Sequence, residues 1–352
     1  MNPSLLTITL AVTFTVSLPA QNLQVISPIG AEFFNGNSAS DIMFGNFSAS
    51  TRTQQIDNNL VGAGLPLITS IGWRRDGSAN AGAAKTTDVT IIMSHADFAT
   101  VTNNFAANYK DAPQTVFAQK PVNLPDWNAP APTTPAPFDL RFPLDAPFVY
   151  NQSDALLWDV LNDNNPLGRY TQDWISVSFP HTYGATPTQT GAGCTTPNGT
   201  MSHRTAVRAD ATTLEVGFRV DQAPSSAQVS MLFGFSNPSL TLPGLCSTVD
   251  VSSIVCGPLG TAGVGGDVPF AVAISAPWNP QLAGLPIHTQ ALALDATQPG
   301  IPVSVSGGLL SPIPTSAGPG AVNIKRIYHT SSTSAATGTG PSNSGVPTVY
   351  SL

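Results

Sequence analysis

Apolar and polar positions alternate along much of this chain, and the alternation predicts strands. In "FDLRFPL" the residues Phe138, Leu140, Phe142 and Leu144 share one side, and in "LEVGFRV" the residues Leu214, Val216, Phe218 and Val220 do the same. "LITSIGW" (67–73) and "TDVTIIM" (87–93) are rich in β-branched residues and bounded by turn formers. "ALLWDVL" (155–161) is almost continuously apolar, as a strand covered on both faces would be. A second series follows in "QVSMLFGF", "VPFAVAI", "HTQALAL" and "IPVSVS", separated by Gly, Pro and Asn. One stretch, "FATVTNNFAANY", repeats Phe98, Val101 and Phe105 at helical spacing and is the main helix candidate.

Strands joined by turns, without helices between them, predict an all-β protein built from antiparallel sandwiches, jelly-roll-like or immunoglobulin-like. The expected order is a leader over 1–20, one sandwich over 21–183, a second in tandem over 184–312, and an edge strand with a mobile tail over 313–352. The Gly/Thr/Pro-rich stretch near 183–192 is the natural linker, and no fixed-period repeat relates the two halves.

Composition sharpens this picture. Charged residues are only 9%, against 30 Gly and 32 Pro, and the chain has two glutamates, Glu32 and Glu215. Long exposed helices need more charge than this. A net charge of −7 with scattered Lys and Arg excludes a nucleic-acid footprint. Leu5 to Leu18 is an uncharged, mostly apolar run followed by Pro19-Ala20, the form of a cleavable export signal. No later segment is long enough to span a bilayer, so no membrane span is expected after cleavage. The expected location is secreted, periplasmic or at the cell surface, where disulfides persist.

Three cysteines, Cys194, Cys246 and Cys256, allow one disulfide and one free thiol. Joining Cys194 to either partner closes a loop of roughly 50–60 residues worth about 4 kcal/mol; joining Cys246 to Cys256 closes about ten, worth about 3 kcal/mol. That difference does not choose between them. Close C-x₂₋₄-C pairs are lacking, so zinc is disfavoured, and export disfavours a thiolate nucleophile.

The other candidates are sparse. No G-x-S-x-G elbow occurs, and no two of the five histidines stand at metal-pair spacing. Asn162, Asp163 and Asn164 offer oxygen ligands to calcium but lack the D-x-D-x-D-G series, which favours a solvated turn. Trp127, in the proline-rich "NLPDWNAPAPTTPAPF", is the candidate ligand contact, an exposed platform for a sugar. Sequons occur at Asn46, Asn151 and Asn198.

Two resemblances follow from particular residues. Gly191, Gly193 and Cys194, then Pro277, Pro280, Leu282, Gly284, Leu285, Gln290, Leu292, Leu294 and Asp295, closing on Ser306–Leu309, resemble a carboxyl-terminal module of uncharacterised exported proteins from planctomycete-type bacteria. Arg52, Gln54, Gln55, Ile68, Ile71, Arg74, Asp76, Val89, Ile91, Ser94 and the run Phe138–Tyr150 resemble an amino-terminal segment of exported bacterial proteins. The resemblance implies export and a β-sandwich fold but no activity. The module's second cysteine matches Cys256, which implies a Cys194–Cys256 bridge, with Cys246–Cys256 as the alternative.

The expected function is a non-catalytic surface, binding or structural role, with an extracellular glycan or cell-surface protein as partner. The rival is a secreted hydrolase of polysaccharide or peptide, which would show a cleft holding two carboxylates or a Ser–His pair.

Overall fold

The structure is a computed structural model that describes residues 24–352, apart from 46, 78–80, 132, 253–254 and 269–271. The expected leader and the Asn46 sequon lie outside the described residues, as does part of "VPFAVAI".

The described chain is all-β and antiparallel. Its strands run β1 (Gln24–Ser27), β2 (Ser38–Ser40), β3 (Thr51–Asp57), β4 (Leu67–Trp73), β5 (Lys85–Ala96), β6 (Gln114–Leu124), β7 (Leu140–Val149), β8 (Ala155–Asp163) and β9 (Gln172–Trp174). There follow β10 (Thr182–Tyr183), β11 (Thr188–Gln189), β12 (Thr195–Thr196), β13 (Gly199–Thr200), β14 (Ser202–Ala209), β15 (Thr213–Asp221), β16 (Gln228–Gly234), β17 (Leu240–Thr241) and β18 (Thr248–Val249). Last come β19 (Val255–Thr261), β20 (Val272–Pro277), β21 (Pro286–Leu294), β22 (Val303–Val305), β23 (Leu309–Pro312), β24 (Ile324–His329), β25 (Thr339–Ser342) and β26 (Thr348–Ser351).

The first unit packs the sheet β1-β26-β4-β7 on the sheet β25-β24-β3-β8-β5-β6. Between them lie Ile68, Ile71, Trp73, Ile91, Met93, Phe142, Trp158 and Tyr350, all 1% exposed or less. Ile68 and Ile71 both reach this core across an odd spacing because the β4–β7 register shifts between Ile68 and Ser70. β8 is buried on both faces, as its apolar run predicted. Leu156, Trp158 and Val160 enter the inter-sheet core, and Ala155 and Leu157 enter a smaller cluster outside it.

That outer cluster is capped by the segment expected to be helical. It forms only the 3₁₀ turns Phe98–Thr100 and Ala106–Asn108. Val101 and Phe105 do pack inward against Ile56, Leu157 and Ile327. The helix is lost to local polar bonds: Asn104 Oδ1 accepts the N–H groups of Ala106 and Ala107, and Asn108 Oδ1 accepts that of Thr102.

The second unit packs β10-β14-β15-β20 on β11-β23-β21-β16-β19, with β22 also paired to β21. Val207, Val216, Phe218, Val229, Met231 and Ile287 fill its core.

The tandem order needs a correction. The chain returns to the first unit after β23, and the expected tail supplies three of its strands. β24 is an interior strand between β25 and β3, and β26 is interior between β1 and β4. Val349 and Tyr350 are fully buried. The first unit is therefore discontinuous, closed by the last strands of the chain. The outgoing and returning crossings pack on each other through Ile175, Phe179, Val322 and Ile324.

Candidate functional site

The seam between the units is built from a short hook, the 3₁₀ turn Ile29–Glu32 and the two phenylalanines after it. Arg74 holds the hook in place. Its guanidinium donates to Ala31 O and Phe34 O and pairs with buried Asp173 at 2.5 Å. The hook lies on the outer face of β14 and β15, where Gly217 leaves room for it. A Cβ there would sit 2.4 Å from the Cβ of Phe33. Arg208 stacks on the Phe34 ring at 3.9 Å, and Tyr183 closes over Gly30.

Charge on the seam is matched across it. Glu32 pairs with Arg204 at 2.5 Å, Arg204 also bonds Asp221 at 2.9 Å, and Arg219 stands 3.7 Å from Glu32. Burial pushes the Glu32 carboxyl above its ordinary value, against the opposing pull of Arg204 and Arg219. Burial works against the Arg204 charge too, but Glu32 and Asp221 outweigh it and the guanidinium is held charged.

Beside the seam opens a cleft of about 590 Å³. Its walls come from β1 and the hook, the Asn59–Ala63 loop, the Thr182–Pro187 crossing, β14, and the returning residues Ala321–Asn323. Glu32 and Arg204, already paired, are the charged side chains among them.

The residues singled out in the sequence do not meet here. Trp127 is fully buried, its ring stacked on Tyr170 at 4.3 Å and its indole N–H donated to Asp139 at 3.1 Å. It is core, not an exposed platform: the proline-rich loop folds the indole inward, pinned by backbone bonds to Ala81 and Gly82. The calcium candidates also separate. Asn162 is buried, with Oδ1 taken by the Thr87 hydroxyl and Nδ2 donated to Met43 O. Asp163 accepts from Ser50, and Asn164 donates to Asp88. Strand alternation turns Asn162 and Asp163 to opposite faces, so the three do not converge.

Cys194 is bridged to Cys246 and Cys256 is free and exposed, which corrects the Cys194–Cys256 pairing and its Cys246–Cys256 alternative. Cys256 sits on β19 opposite Leu232 of β16, at the end of its sheet, while the loop carrying Cys246 comes back over buried Cys194.

A Ser–His contact does occur, at Ser306 Oγ and His203 Nδ1, 2.8 Å apart, with Thr289 on Nε2 at 2.9 Å. It is not a nucleophilic pair. Ser306 is fully buried and its hydroxyl is engaged with Ala291 N and Gly307 O. Burial lowers the His203 pKa to about 3, so the imidazole stays neutral as a core hydrogen-bonding group. Among the described residues, no group of three or more His, Cys, Asp or Glu is placed to hold a metal. No helix among them is long and apolar enough to cross a membrane.

The resemblance residues are bonded within the fold. Arg52, Gln54 and Tyr109 converge on buried Asp159, Gln290 ties Thr248 O to Ser306 O, and Asp295 accepts from Ser304 and Thr297. Sequence reasoning missed the cleft and its Glu32–Arg204 pair, because partners 172 positions apart leave no local spacing signal. No protein-family model, no curated protein and no solved structure matches the chain.

Proposed function

We propose that this is an exported, non-catalytic binding or structural protein whose ligand-facing feature is the cleft between the two sandwiches. The carrying observation is that the cleft's charged and imidazole side chains are already engaged: Glu32 and Arg204 form an ion pair, and His203 is neutral and bonded to Ser306 and Thr289. Acid–base or nucleophilic chemistry needs a group free to exchange a proton with substrate. The Cys194–Cys246 bridge supports an oxidising compartment, and the fitting partners are an extracellular glycan or a cell-surface protein.

The test is fractionation of producing cells, with thiol labelling, followed by assay of the purified mature protein on polysaccharide and peptide substrates. The expected result is extracytoplasmic protein with one labelled thiol and no turnover. Cytosolic protein with three reactive thiols would overturn export, and turnover would overturn the non-catalytic role.

A further inference from the structure

Neighbouring side chains of a strand point to opposite faces. A cleft that sees a sheet face is therefore lined by alternate residues, and one that sees a strand edge is lined by consecutive ones. This cleft is lined by the consecutive residues Gln24, Val25 and Ile26 of β1 and by His203, Arg204 and Thr205 of β14. Among the described residues β1 ends its sheet, with β26 as its neighbour. β14 pairs with β15 along its whole length, but on its other side β10 reaches only Arg208 and Ala209. Gly184 N meets Val207 O just beyond. Among the described residues, no strand pairs with that edge from Ser202 to Ala206. Two open backbone edges, one from each unit, thus border the same cleft.

We propose that the cleft binds an extended, uncharged polypeptide segment of a partner protein, added as a strand to the free edge of β1 and in reach of the open edge of β14. This deepens the binding role proposed above and rests on it. An edge row of N–H and C=O groups is matched by the backbone repeat of another strand. Charge on the occupant is disfavoured because Glu32 and Arg204 neutralise each other, leaving no counter-charge for a desolvated ion. Val25, Ile29, Val61, Pro187 and Leu309 offer apolar contact for side chains on alternate positions. A glycan would want an exposed aromatic face, whereas Phe33 is 4% exposed and Tyr183 is closed over Gly30.

The test is an array of acetylated, amidated, uncharged octapeptides rich in Val, Ile and Thr, with the tightest binders followed by fluorescence anisotropy. Binding is expected to weaken at least about tenfold, roughly 1.4 kcal/mol, when alternate backbone nitrogens of the peptide are methylated. The same loss is expected in Val61→Arg and Ala185→Arg, whose exposed side chains line the cleft, with unchanged melting temperature. No binder on the array, indifference to methylation, or wild-type affinity in both variants would overturn the proposal. Neutral oligosaccharides binding in place of peptides, and lost in the same variants, would also overturn it while leaving the binding role intact.

Discussion

The side-chain amide of Gln55 clasps the backbone of Val346 at both polar groups, accepting its N–H at 2.8 Å and donating to its C=O at 3.0 Å, across 291 positions of sequence. Gln55 is fully buried, where an amide is costly unless both its ends are bonded. The clasp sits immediately before β26 and fixes how the end of the chain enters the first sandwich. Replacing Gln55 with Leu keeps the volume but leaves the Val346 N–H unpaired and its C=O with the Thr348 hydroxyl alone. A loss of about 1–3 kcal/mol in urea unfolding is expected. Deleting residues 346–352 would remove an interior strand, and the expected outcome is insoluble protein on expression.

Asp57 is a buried carboxyl whose pKa burial pushes up to about 6, with Asn59 and Ser27 pulling the other way. The folded value stands above the unfolded one near 4, so the folded state binds the extra proton between the two. Stability from this group is fully present below about pH 4, falls as pH rises through 6, and is flat above. The difference is worth about 3 kcal/mol at most. Asp57→Asn should abolish that slope between pH 4 and 6 and raise the urea midpoint at pH 8, where the wild type carries the buried charge.

Phe33 fits the second unit because position 217 has no side chain. Gly217→Val should push the ring out of the seam and cost about 1–3 kcal/mol by overpacking. Limited proteolysis is the discriminating readout, with new cleavage in the hook between residues 28 and 36.

One thiol per native chain should react with a maleimide, at Cys256, and peptide mapping without reductant should recover Cys194 joined to Cys246. Cys246→Ser opens a loop spanning 52 positions, and the expected destabilisation is about 4 kcal/mol.

Trp127→Ala should act on stability, not recognition. The indole is enclosed and stacked on Tyr170, so truncation is expected to cost about 3–5 kcal/mol in thermal or urea unfolding.

How far each feature was legible depends on how local its cause is. The double burial of β8 was written in the run "ALLWDVL", and the strand Leu67–Trp73 coincides with its β-branched segment. The helix candidate was misleading because Phe98, Val101 and Phe105 do share a buried side, while Asn104 and Asn108 divert the backbone bonds that a helix would need. Trp127 misled for the opposite reason: a loop rich in proline suggests exposure, yet a large indole returns to the core when its N–H finds Asp139.

By itself the chain determined several of its strands, its antiparallel all-β class and its capacity for one disulfide, since these follow from side-chain period, turn residues and cysteine count. Only the tertiary structure decided that the last strands close the first sandwich, that Cys246 meets Cys194, and that Glu32 pairs with Arg204 beside a cleft. Each of those joins positions tens to hundreds of residues apart. Such pairings are set by which sheet edges and buried polar groups remain unsatisfied once the local elements have formed, and that is a property of the packed whole.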